Sequence, residues 1–122
     1  MRFELDLQSG VPVYRQIIDR VQSAMASGAL RSGDRLPTVR QLAVDLSVNP
    51  NTVVRAYREL ELTGALTTQQ GTGTFVADRK IEQSEADRER KLNQLLGEFV
   101  ARAGREGFTV KDLRSGLKDF AK

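Results

Sequence analysis

Cysteine and histidine are both absent from the 122-residue chain. Their absence excludes disulfides, thiolate nucleophiles and imidazole bases, and with them nearly all zinc, haem and iron–sulfur ligation. The carboxylates that remain are scattered over helix faces, so no acid–base pair assembles, and neither enzymatic activity nor a metal or cofactor is expected. Long apolar runs are missing too. No window approaches the ~18 consecutive apolar residues a membrane span needs, and the opening "MRFELDLQSGVPVY" has no continuous apolar stretch of the kind a signal peptide carries. A cysteine-free chain of this sort fits a reducing, cytoplasmic interior. A charged tail is the last absence. Net charge is +3, with ten Lys/Arg against eight Asp/Glu in residues 1–80 and nine against eight in residues 81–122. Any electrostatic footprint must therefore come from how the folded surface arranges its arginines.

What is present reads as one small domain with an appendage, since a hydrophobic share of 39% supports a modest core. Residues 1–10 read as a short extended arm, with Phe3, Leu5 and Leu7 alternating against polar neighbours. From Val13 to Ser27 the residues Tyr14, Ile17, Ile18, Val21 and Met25 fall at helical spacing, and Gly28 stands at the stop position. "LRSGDRLP" reads as a loop. Thr38 can cap a short helix over Val39–Leu46, in which Val39, Leu42, Ala43 and Leu46 share a face. "SVNP" is a turn: Asn49 is the expected cap and Pro50 the first residue of a further helix, where the missing N–H costs nothing. Val53, Ala56, Tyr57 and Leu60 form that helix's inward stripe, which ends at Leu62 before Gly64. Two β-compatible runs, Ala65–Thr68 and Thr74–Ala77, then flank a tip of glutamines and glycines, a hairpin pattern. Helix, short helix, turn, helix, hairpin is the order of a winged helix-turn-helix over residues 1–78.

Residues 79–122 form the appendage. A charged stretch leads into Leu92, Leu95, Leu96, Phe99, Val100 and Ala103 at helical spacing. "GREG" interrupts, and "TVKD" has the form of a capping box ahead of Val110, Leu113, Leu117 and Phe120. The fold class expected is thus mainly α with a small β-hairpin: a winged helix-turn-helix followed by a C-terminal helical hairpin for dimerisation. A lone pair of short helices is marginal in water. Leu92, Leu95, Leu96, Phe99, Val100, Leu113, Leu117 and Phe120 would be buried if they packed on a second copy under two-fold symmetry. The other solution is for both helices to fold back on their own winged domain. An apolar space among them could also admit a small-molecule effector, although no polar constellation identifies one.

In a helix-turn-helix the second helix lies in the DNA major groove and its N-terminal residues meet base edges and phosphates. The candidate contacts follow from that geometry. Asn49 and Asn51 offer donor and acceptor together, Thr52 adds a hydroxyl, and the helix N-terminus favours a phosphate. Arg40 lies in the first turn of the preceding helix, and Arg55 and Arg58 project away from the apolar stripe. At the hairpin tip Gln70 and Thr72, with Gln69, can hydrogen-bond, while Gly71 and Gly73 let the backbone approach a narrow groove. Each signal has a plainer counterpart: Asn49–Pro50 caps any helix, two arginines can be a solvated face, and "QQGTGT" can be only a turn. The tip is not a phosphate loop, because it lacks the GxxxxGK[ST] pattern and runs into a strand. A winged helix can also bind proteins, but such an interface favours aromatic and aliphatic anchors over amides and glycines.

"LPTVRQLAVDLSVNPNTVVRAYRELELTGALTTQQGTGTFV", with the preceding "GALRSGDRLPTVRQLA", resembles the DNA-binding domain of the GntR family of bacterial transcription regulators, over roughly Val13–Val76. The short tail and "NPNTVVRAYRELE" are similar to its YtrA-like branch. The resemblance implies a homodimer bound to a pseudo-palindromic double-stranded operator, with repression as the expected sign. It places DNA contacts on Arg40, Pro50, Asn51, Thr52, Val54 and Gly71. Arginines are common elsewhere in the family at the places of Pro50 and Val54, which shifts the expected arginine contact here to Arg55. Larger branches carry a ligand domain or an aminotransferase-like domain, neither of which is expected in residues 79–122. YtrA-like members are often associated with transporter operons.

Overall fold

The computed structural model describes residues 4–78 and 84–120. The chain divides into two compact units, Met1–Arg79 and Lys80–Lys122. The first holds helices α1 (Val13–Ser27), α2 (Val39–Leu46) and α3 (Pro50–Leu62), then strands β1 (Leu66–Gln69) and β2 (Gly73–Val76). The second holds α4 (Glu85–Arg105) and α5 (Val110–Phe120).

Helix boundaries in the first unit follow local chemistry. Gly28, at φ 84°, ends α1 in the left-handed conformation that a side chain disfavours. Thr38 and Gln41 form a reciprocal capping box at the start of α2. Asn49 caps α3 by accepting the Asn51 N–H at 2.8 Å, with Pro50 in the first turn. The stripes expected from spacing converge on one core. Ile17, Ile18 and Val21 from α1, Leu42 and Ala43 from α2, and Val53, Ala56, Tyr57 and Leu60 from α3 are all buried. Tyr14, Met25, Val39 and Leu46 pack at its margin. Leu30, Leu36, Ala65, Leu66 and Val76 close it from the loops and hairpin.

Tyr57 shows how this core manages its one large polar tip. Burial pushes the hydroxyl well above the ordinary tyrosine range, and it stays protonated and donates to the Pro37 carbonyl at 2.8 Å. Tyr57→Phe should lower stability by about 1 kcal/mol in denaturant titration, because the carbonyl loses its partner while the packing remains. An unchanged midpoint would mean that this hydrogen bond contributes nothing to folding.

The antiparallel hairpin pairs Leu66 with Val76 and Gln69 with Gly73, so both strands sit one residue away from the runs read in the sequence. The larger difference is in "LRSGDRLP", expected as a loop. Gly33 N–H donates to Val76 O, Val76 N–H to Asp34 O and Leu36 N–H to Thr74 O, each at 2.8 Å. Arg35 bridges Phe75 in antiparallel fashion. The segment thus supplies a third rung row along β2 and fixes the base of the hairpin to the core through Leu36. The arm before α1 also departs from a simple extended alternation. Leu5 packs on the core, but Leu7 is 79% exposed. The Gln16 side chain holds the arm in a turn, accepting from Asp6 N–H and donating to Asp6 O, both at 2.8 Å. Phe3, Ile81 and the stretch 79–83 lie outside the described residues.

In the second unit Ser84 caps α4 by accepting the Asp87 N–H. The chain leaves α4 through Gly107, at φ 89°, and Phe108 N–H returns to Ala103 O at 2.8 Å. Thr109 and Asp112 cap α5 reciprocally, and the backbone and hydroxyl hydrogen bonds from Thr109 hold the Asp112 carboxyl below the usual aspartate range. Only Ala103 is buried among the described residues of the two helices. Leu92, Leu95, Leu96, Phe99, Val100, Leu117 and Phe120 are between 40% and 64% exposed, and Leu113 is half-buried. The apolar stripes do not close on each other: a groove of about 940 Å³, lined by Phe99, Phe108, Leu113, Leu117 and Phe120 among others, runs between α4 and α5.

Candidate nucleic-acid interface

The core stripe of α3 leaves its opposite face outside. Asn51, Val54, Arg55, Arg58 and Leu62 recur at intervals of three and four residues, opposite Val53, Ala56, Tyr57 and Leu60. All five are exposed, Val54 at 37% and Leu62 at 80%, and Thr52 beside them is half-buried. Asn49 does cap, as its plainer reading requires. Its acceptor oxygen is engaged by Asn51 N–H, while Thr52 N–H turns back to Asn49 O at 2.9 Å. The side-chain amide of Asn49 still has N–H groups to offer, and the Asn51 side chain has no hydrogen-bond partner among the described residues.

Arg40 stands exposed in the first turn of α2, after the Thr38 cap. Arg55 is exposed but not loose: its guanidinium carbon sits 3.7 Å from the centroid of the Tyr14 ring, at the start of α1. Arg58, one turn on, is exposed. The wing tip is a tight turn closed by Thr72 N–H to Gln69 O at 3.0 Å, with Gln70, Gly71 and Thr72 exposed. Gly71 at φ 80° and Gly73 at φ 139° adopt conformations that side chains rarely accept. The Arg35 side chain passes close over Gly73: a Cβ there would stand 3.0 Å from Arg35 Nε, so the arginine would have to shift slightly. The wing is also tied to α3, by the Thr68 hydroxyl donating to Glu61 Oε1 at 2.8 Å.

Two residues escaped the sequence reading. Arg35 lies over the wing glycine, and its only signal was a basic residue one step before "LP" (too common to single out). Tyr14 was counted as part of a core stripe, which its half-burial supports, but nothing in the spacing linked it to Arg55. Among the described residues Arg35, Arg40, Arg55 and Arg58 have no carboxylate within ion-pair distance; the ion pairs present are Arg15–Glu59, Arg90–Asp87 and Arg102–Glu106. The surface carrying the amide-rich helix tip and the wing therefore holds several uncompensated positive charges. Such a face suits a polyanion, and no cluster able to hold a metal exists among the described residues.

Comparison with known proteins agrees with this geometry. Residues 13–76 match the family described as "Bacterial regulatory proteins, gntR family". The uncharacterised HTH-type transcriptional regulator YhcF of Bacillus subtilis is 36% identical over 113 residues, covering 93% of each chain. The HTH-type transcriptional repressor YtrA of the same organism is 30% identical over 118 residues, covering 97% of this chain and 91% of the relative. Among solved structures, the AraR DNA-binding domain in complex with operator ORE1 superposes with a TM-score of 0.53 at 28% identity, over 63% of this chain and 94% of that one. Family members of this kind are transcription regulators and not enzymes. The chain is a winged helix-turn-helix protein of the GntR family of bacterial regulators, similar over nearly its whole length to the short YtrA-like branch.

Proposed function

We propose that the protein acts as a homodimer on a pseudo-palindromic double-stranded operator, as a cytoplasmic repressor. The observation that carries this reading is the outward face of α3. It combines an open amide-rich N-terminus with arginines that no carboxylate neutralises among the described residues, and it is flanked by Arg40 and by a wing whose glycines permit close approach. Asn49, Asn51 and Thr52 are assigned to base edges and nearby phosphates, Arg40, Arg55 and Arg58 mainly to phosphates, and Gln70, Gly71, Thr72 and Gly73 to the minor groove. YtrA's repressor name favours repression as the sign. No helix among the described residues is long and apolar enough to cross a membrane, in keeping with a protein that works on chromosomal DNA.

The exposed stripes of α4 and α5 support dimerisation. Eight large apolar side chains left outside on the described residues of two helices, with a groove between them, exceed what a solvated pair of helices tolerates. A second copy is the occupant assigned to that groove. It would set two α3 tips one or more DNA turns apart, about 34 Å per turn.

Arg40→Ala tests the recognition face. Operator affinity should fall about tenfold or more, and the slope of log affinity against log salt should flatten by roughly one for each phosphate no longer neutralised. Thermal unfolding should not change, since Arg40 is exposed and has no ion-pair partner among the described residues. Equal affinity and an equal slope for the variant would remove this face from the binding surface.

A further inference from the structure

We propose that Tyr14 is a positioning residue for DNA binding: its ring holds the Arg55 guanidinium flat so that the N–H edge points outward to a phosphate. The inference rests on the DNA-binding reading and adds a residue from outside the helix-turn-helix to it. Tyr14 lies two residues into α1, half-buried at the margin of the core, and Arg55 covers its ring at 3.7 Å. A stacked guanidinium uses its face and leaves all five N–H donors free around its edge, whereas a carboxylate partner would consume some of them. The neighbouring charges are arranged to keep it so. Glu59, one turn after Arg55 on α3, is approached at 3.9 Å by Arg15 Nη2. The Arg15 guanidinium itself stands farther from the Tyr14 ring, at 5.8 Å. Arg55 is left as the tightly stacked arginine, on the same face as Asn51 and Arg58, without a carboxylate of its own among the described residues.

A free arginine side chain must be immobilised when it meets a phosphate, and Tyr14 fixes it beforehand. Removing the ring should therefore weaken binding without changing the number of charges engaged. A purely packing role for Tyr14 predicts instead a loss of stability that does not depend on Arg55.

The test uses a duplex selected from a random pool by the wild-type protein, with fluorescence anisotropy across a salt series. Failure to select any duplex would strike the DNA-binding reading itself, separately from this proposal. Tyr14→Leu should weaken binding about 3- to 10-fold with an unchanged salt slope. Arg55→Ala should weaken it at least as much and flatten the slope by about one per subunit. In the Arg55→Ala background Tyr14→Leu should add less than about 2-fold, whereas Tyr14→Phe with Arg55 present, which keeps the ring, should retain wild-type affinity. If Tyr14→Leu loses its cooperative melt, Tyr14→Met takes its place in the cycle. The proposal is overturned if the Tyr14 variant weakens binding equally with and without Arg55, if it leaves affinity unchanged, or if Tyr14→Phe is as defective as Tyr14→Leu.

Discussion

Leu60→Ala should destabilise the winged unit by about 2–5 kcal/mol and lower its melting temperature by on the order of 10 °C or more. Leu60 is 1% exposed, among the largest fully buried side chains of the molecule, and lies in the middle of the inward stripe of α3. Truncation removes three carbons from the core that α3 shares with α1, α2 and β1, and such a site collapses only in part. Leu62 is the internal control. Two residues along the same helix, it is 80% exposed, so Leu62→Ala should stay within about 0.5 kcal/mol of the parent. Thermal melts followed by circular dichroism would compare the two directly. Similar melting temperatures for both variants would show that α3 does not bury the face assigned to it, and the outward face would then have to be redrawn.

The size of that effect bears on function because a single helix carries both faces. The contacts that lock α3 through Val53, Ala56, Tyr57 and Leu60 also decide that Asn51, Arg55 and Arg58 face outward. Rotation by one residue, about 100° around the axis, would bring an arginine toward the core. Packing sets the register of recognition, and the charged residues follow it.

The three helices of the winged unit were legible because each announces itself locally. Apolar residues recur at helical spacing, Thr38 and Asn49 cap, Pro50 occupies the one helical place that tolerates it, and Gly28 stops α1. All of these signals act within about four residues. Features joining distant positions were hidden. The pairing of residues 33–36 with β2 links segments some forty residues apart through backbone groups, which carry no side-chain signature. Spacing marked Tyr14 as apolar-facing, yet it could not say that the ring would meet an arginine from another helix. The turn in the N-terminal arm depends on Gln16, whose amide reaches back ten residues. In the tail the periodicity of both stripes was plain, but a stripe states only that it needs covering, not by what.

Phe99→Asp, alone or with Leu96→Asp, should convert the proposed dimer to a monomer and reduce operator affinity about 100-fold or more. Both side chains stand out from α4, at 47% and 44% exposure, so a carboxylate at either place is solvated within the single chain and should leave the winged unit's melt unchanged. Within a dimer interface the same carboxylate would be buried without a partner, which apolar packing cannot offset. The loss of affinity is larger than that from any single arginine because it removes linkage. Two tips joined through their tails bind the second half-site at a high effective concentration, commonly a gain of about 10²–10⁴, and separated copies must bind each half-site independently. Sedimentation velocity gives the assembly state, and anisotropy on duplexes bearing one or two half-sites gives the linkage. On a single half-site the variant should match the parent, since its recognition face is intact. A variant that sediments as the parent does, or loses affinity equally on one half-site and two, would show that the α4 stripe serves something other than pairing, and the operator would then need no two-fold symmetry.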